Sequence, residues 1–347
     1  MNELLKDLEK LSNQQEEVLR SESNKIFLDA TEHVFYFSND TNFSQSITYI
    51  ESIPSKRSKD KIKVALWVGE GNLLSCLPEL SKHVDLVVTL DIEEKVLEHA
   101  EFMYQLMKDN ETCREFSLSY LNNNILVKKE YKVIMRNEEN KNKFSVPVNK
   151  EIAVKMLLIN CEMLGEKHFI ESDQRYLKCR AALRKIHLSF IKLDLLDSKS
   201  VVTFKSILAK NNVEIAIINI TNLQDYDANY AARSFLECKQ MWVPTGKLSN
   251  SLEILGTPSQ ASPIILYSRL DKKCDYKKLT SCQAASVTTY IKKIQEYARE
   301  INIFSHKLIA KGQYGALFQA AKLTGKVRQV LQEEIKEFRA DQAGLKI

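Results

Sequence analysis

Apolar residues follow two rhythms along this chain, and the change from one to the other marks out its elements. Lys63-Val64-Ala65-Leu66-Trp67-Val68 and Asp85-Leu86-Val87-Val88-Thr89-Leu90 are nearly unbroken, β-branched-rich runs, the pattern of strands covered on both faces. Leu188-Ser189-Phe190-Ile191-Lys192-Leu193-Asp194 and Val213 to Ile220 repeat the pattern. Between them, Leu73 to Lys82, Glu93 to Met107 and Ser198 to Ala209 carry apolar residues at helical intervals, which predicts helices. Strand and helix alternate, so the expected class is a doubly wound α/β sheet.

The regions around this repeat are less regular. Leu4, Leu5, Leu8, Leu11 and Val18 are spaced for an amphipathic helix, and Ile26 to Phe37 and Phe43 to Ile53 extend an N-terminal helical segment over residues 1–60. A polar, basic linker, Pro54 to Lys61, leads into the first strand. The connection from about 108 to 187 is far longer than one crossover needs. It is expected to be an inserted helical and irregular subdomain, closed by helices from about Ile152 to Leu164 and Ser172 to Lys185. A helix is expected from Ala228 to Cys238, and Trp242-Val243-Pro244, Leu252 to Gly256 and Pro263 to Ser268 read as closing strands. Thr280 to Ile303 and Lys322 to Phe338 return to helical spacing, giving a C-terminal helical extension over 271–347 beyond an α/β domain at 61–270.

The chemistry gathers at the carboxyl ends of the strands. Gly69-Glu70-Gly71-Asn72 follows the first, Asp91 ends the second, and Asp194 with Leu195 follows the third. Asn219, Thr221, Asn222 and Asp225 cluster at the end of the fourth. In an open parallel sheet, ligands bind in the crevice at those ends, and a carboxylate about 20 residues past a glycine turn meets a ribose. The stretch from Lys63 to Asp91 resembles motifs I and II of class I S-adenosylmethionine-dependent methyltransferases. Val68 to Asn72 is similar to the Gly-Glu-Gly-Asn version of one branch of RNA-modifying methyltransferase-like domains. Trp67 replaces a usual acidic residue, and Leu73 replaces a usual third glycine.

The resemblance implies a Rossmann-like sheet with a terminal antiparallel strand and S-adenosyl-L-methionine as cofactor. Gly69, Glu70, Gly71 and Asn72 would lie around its methionine and ribose part, Asp91 on the ribose hydroxyls, and Asp194 with Leu195 on the adenine. Asn219, Thr221, Asn222 and Asp225 would face a methyl acceptor: a protein, an RNA or a small molecule. No base is assignable, because His99 lies in a helix and His187 precedes a strand. Two alternatives stay open: a catalytically silent scaffold that binds a host protein or RNA, and another nucleotide-binding Rossmann enzyme. Leu74 stands where a dinucleotide fingerprint needs its third glycine, which disfavours the latter.

Composition narrows the classes without choosing among them. A net charge of +5, from 50 basic and 45 acidic residues, permits a nucleic-acid partner but does not require one. The 7 cysteines are unpatterned, which points to reduced thiols in a cytoplasmic setting and to no metal site. No apolar run reaches membrane-spanning length, and the charged N-terminus lacks a signal-peptide pattern. Gln332 to Glu337 resembles the glutamate-rich C-terminal signals of effectors that intracellular bacteria secrete by the type IV route, which would place the chain in a host cell.

Overall fold

The structure is a computed structural model, described for residues 1–21, 43–54, 60–136, 143–221, 223, 247–256, 263–267 and 283–286. The helices expected at 26–37, 228–238 and 322–338 and the tail signal at 332–337 lie outside these residues. So does most of the basic linker.

The first helix, α1 (Asn2–Ser21), is followed by α2 (Phe43–Ser52) and the first strand, β1 (Ile62–Val68). Helix α3 (Leu73–Leu80), strand β2 (Leu86–Asp91) and helix α4 (Glu94–Asp109) complete the first βαβα unit. The long connection holds α5 (Cys113–Asn123), α6 (Ile125–Lys128), a hairpin of β3 (Lys132–Arg136) and β4 (Lys143–Pro147), then α7 (Lys150–Leu164) and α8 (Asp173–Leu183). The sheet resumes with β5 (His187–Lys192), α9 (Ser198–Lys210), β6 (Val213–Thr221), α10 (Lys247–Gly256), β7 (Ile264–Tyr267) and β8 (Gln283–Ser286).

These strands form a 6-stranded sheet in the order β5-β2-β1-β6-β7-β8. Every pairing is parallel except β7 with β8. The order reverses direction between β1 and β6, which is the switch point where such sheets bind ligands. The doubly wound, Rossmann-like architecture expected from the sequence is therefore present, but its antiparallel strand is β8, beyond the 241–270 stretch where the closing strands were expected, and β7 within that stretch runs parallel.

Alternation along each strand feeds two cores. Ala65, Trp67, Val87, Ile217 and Leu266 face α2, α3, α4 and the inserted helices. Val64, Leu66, Leu86, Val88, Leu90 and Ile218 face α1, α9 and α10. Leu4, Leu8 and Leu11 of α1 are buried in the second core, so this helix packs on its own domain. Each such side chain contributes about 1.5–3 kcal/mol of burial.

Three local expectations change. Leu252 to Gly256 is helical, not a strand, because Leu248, Leu252 and Leu255 fall on one buried face of α10. Gln283–Ser286 is a strand where a helix was expected, since pairing with the open edge of β7 outweighs local propensity. The expected helical insertion is present between α4 and β5, but it also holds a hairpin and packs into the sheet's own core. Phe116, Tyr120, Leu157, Phe169 and Tyr176 share one core with Trp67 and Leu77, and Lys132–Arg136 pairs with Lys143–Pro147 as a hairpin.

Candidate functional site

Strand β1 ends in a turn that glycine makes possible. Gly69 adopts φ +68°, and Asn72 follows with φ 60°, a left-handed backbone that Gly and Asn tolerate best. Gly69 N–H donates to Leu90 O over 2.8 Å, which ties the turn to the end of β2. There the Asp91 carboxyl lies so close that a Cβ on residue 69 would sit 3.6 Å from its Oδ2. The missing side chain thus leaves open the space in front of the carboxylate, at the carboxyl ends of two adjacent strands.

Asp91 is held by its own loop. Its Oδ1 accepts from Glu93 N–H at 2.8 Å, and Leu193 N–H donates to Asp91 O at 3.1 Å. Burial pushes its pKa up to about 7, against the opposing pull of the Glu93 N–H bond. A carboxyl poised near neutrality, without a counter-ion among the contacts that shift it, is suited to accept hydrogen bonds from a polyol such as ribose.

Glu70 is engaged from the core side of the turn. Its carboxylate turns into the core and meets His99 Nδ1 of α4, and both residues are buried. Burial raises the pKa of Glu70, with the His99 imidazole opposing that rise. His99 thus reaches the turn from α4.

The unusual Trp67 also acts on the turn. Its indole N–H donates to Gly71 O over 2.8 Å, while its ring packs edge-on against Phe43 with centroids 6.0 Å apart. The residue that departs from the methyltransferase pattern thus clamps the glycine turn from the core side.

The remaining candidates divide. Asp194 lies in the loop after β5, where Leu196 N–H donates to its Oδ1 at 2.7 Å and burial raises its pKa. The cap of α9 is Asp197, which receives Ser200 N–H at 3.1 Å, so Asp194 is not needed for that role. Leu195 is 3% exposed and belongs to the core facing α1 and α9, which leaves only its backbone to offer a ligand. Asn219 is fully buried on β6, opposite Trp67 and Leu266. Thr221 ends that strand, paired with Tyr267, whereas Asn222 and Asp225 lie outside the described residues.

Several residues at the turn were missed from the sequence because their partners are remote along the chain. Arg175 of α8 clasps Glu79 with two bonds of 3.0 and 3.1 Å and also donates to Ser75 O. Phe169 N–H donates to Ser75 Oγ at 3.2 Å, and Asn160 Nδ2 donates to Asn72 Oδ1 at 3.0 Å. The insertion is therefore fastened to α3 immediately behind the turn. A small cavity of about 20 Å³ remains there, lined by Glu70, Gly71, Asn72, Ser75, Asn160 and Phe169 among others, with room for one water.

The local chemistry fits an adenosine-bearing cofactor at two points: the glycine opening before Asp91, and a buried Asn72 amide nitrogen that has no partner. Among the described residues, no group of three acidic, histidine or cysteine side chains is placed to hold a metal, and no helix is long and apolar enough to cross a membrane.

No family model matches the chain, and no curated protein matches it. Among solved structures it is similar to the rRNA methyltransferase aviRa from Streptomyces viridochromogenes, with 14% identity over 70% of this chain and 84% of that chain. The TM-score is 0.33, too low for that likeness to carry any argument.

Proposed function

We propose that the chain binds S-adenosyl-L-methionine at the carboxyl ends of β1 and β2 and transfers its methyl group to an acceptor. The observation that carries this reading is the juxtaposition of Gly69, at φ +68°, with the Asp91 carboxyl beside the sheet's switch point. Asp91 would receive the ribose hydroxyls, and Gly69 to Asn72 would line the neighbouring part of the cofactor. Asp194 would border the adenine, with the backbone of Leu195. Bound S-adenosylmethionine supplies an electrophilic methyl group, so the protein's task is alignment and exclusion of water. Asn219, Thr221, Asn222 and Asp225, at and beyond the end of β6, would face the acceptor.

A second reading is a catalytically silent methyltransferase-like scaffold that binds a protein or RNA. One observation favours it: the Glu70 carboxylate, part of the glycine motif, is committed to His99 inside the core.

Titration calorimetry separates the two. S-adenosylmethionine and S-adenosylhomocysteine should bind with micromolar affinity while NAD, as control, does not. Asp91→Asn should weaken binding at least about tenfold, the expected loss when a charge-assisted acceptor is removed. No heat with either ligand would leave the scaffold reading in place and direct the search to macromolecular partners.

A further inference from the structure

Behind the glycine turn runs a line of polar side chains drawn from three separate places. Asn72 belongs to the turn, Asn160 to α7, and His168 follows the short turn after α7. They are 8%, 4% and 0% exposed. Their hydrogen bonds have a fixed direction. Ile170 N–H donates to His168 Nδ1 at 3.3 Å, so that nitrogen carries no proton and the neutral ring bears its proton on Nε2. Burial, and then the Arg175 guanidinium, hold the imidazole neutral by lowering its pKa to about 3.

His168 Nε2–H therefore donates to Asn160 Oδ1 at 2.8 Å. Asn160 must then turn its Nδ2 to Asn72 Oδ1, at 3.0 Å. A flipped Asn160 would set its amino group against Nε2–H and its oxygen against another oxygen. The end of the line is the Asn72 amide nitrogen, buried and without a partner, on a residue that lines the cavity of about 20 Å³.

We infer that His168 and Asn160 are positioning residues that hold Asn72 with its amide N–H groups, rather than its oxygen, available to an acceptor atom of the ligand at the turn. In the free protein a single water fits that place, and the ligand's acceptor displaces it. This rests on the reading of the turn as a cofactor site. It adds that the insertion, remote in sequence, sets the hydrogen-bonding polarity of that site.

The test is Asn160→Asp. This nearly isosteric change, read at pH 8 or above with the carboxylate ionised, still accepts from His168 but presents an acceptor oxygen to Asn72. The Asn72 amide must then rotate, satisfy its nitrogen on residue 160 and turn its oxygen to the cavity. In the ligand-free, ¹⁵N-labelled chain, the Asn72 side-chain amide resonance, assigned by its loss in Asn72→Asp, should shift and its protons should exchange more slowly. An unmoved resonance would overturn the relay.

With S-adenosylhomocysteine as the probe, affinity should fall at least tenfold in Asn160→Asp while circular dichroism shows the variant still folded, at a melting temperature lowered by the buried carboxylate. Wild-type affinity in that variant would overturn the donor role while leaving the proposed function standing. If Asn160→Asp fails to fold, Asn72→Asp makes the same reversal within the turn and should show the same loss; full affinity there would overturn the inference. Failure of the wild-type chain to bind the probe would overturn the proposed function and the donor role of Asn72 together, with the amide resonance still deciding the direction of the relay.

Discussion

Asp91 joins stability and binding in one side chain, and Asp91→Asn separates them. Burial moves its titration from the ordinary 3.8 to about 7. Between those values the folded protein holds the Asp91 proton more tightly than the unfolded chain does. Wild-type stability therefore falls as pH rises through that window and is most reduced above about pH 7. At about 1.4 kcal/mol per pH unit, the cost above pH 7 has a ceiling of about 4 kcal/mol. Asp91 as a residue is only half-buried at the strand end, and solvent screening reduces the expected cost to about 1–3 kcal/mol.

Asparagine cannot ionise, yet its side-chain oxygen still accepts the 2.8 Å bond from Glu93 N–H. Urea denaturation of both proteins at pH 4.5 and pH 8 reads the effect. Asp91→Asn should exceed the wild type by less than about 1 kcal/mol at the lower pH and by about 1–3 kcal/mol at the higher. A variant less stable than wild type at pH 8, or a gain equal at both pH values, would refute the argument that a desolvated, charged carboxylate stands at this strand end.

Ligand affinity should show the opposite pH trend. If ribose hydroxyls donate to ionised Asp91, S-adenosylhomocysteine should bind more tightly as pH rises through about 7, and calorimetry across that range should show no such slope for Asp91→Asn. Gly69→Ala forces a Cβ into the left-handed region at φ +68°; thermal denaturation should show a loss of about 1–2 kcal/mol, and affinity should fall more steeply than stability. Trp67→Phe keeps most of the packing but strands the Gly71 carbonyl that the indole serves, which should cost about 1–3 kcal/mol in urea denaturation. Arg175→Met leaves the 3%-exposed Glu79 without its guanidinium partner. The loss should be about 3–5 kcal/mol by the same method, and a cost below 1 kcal/mol would show that this clasp does not fasten the insertion.

The sheet was legible because its signal is local and periodic. Buried runs such as Val64 to Val68 and Val213 to Ile220 read as strands without reference to anything distant, and Asp91 announced itself by ending one. Errors came where local pattern and tertiary pairing disagreed. Gln283–Ser286 has no strand-like sequence and gains its conformation from the edge of β7. Leu248, Leu252 and Leu255 did carry a helical signal, but the apolar run around Leu252 to Leu255 masked it. The proximity of Gly69 and Asp91 was readable by spacing, whereas the contacts of Trp67, Asn160, His168 and Arg175 depend on partners brought near only by folding. Arg175 and Glu79, for instance, lie 96 positions apart. Leu195 is likewise buried in the core that holds Leu4, Leu8 and Leu11 of α1, which no local pattern records.

Whether the β1 turn and Asp91 form a cofactor site is read off a crystal structure of the chain grown with S-adenosylhomocysteine. Ribose hydroxyls should lie within hydrogen-bond distance of the Asp91 carboxylate, with the ligand's chain running past Gly69 to Asn72. A ligand bound elsewhere, or a turn and Asp91 left bare at saturating ligand, would contradict that placement.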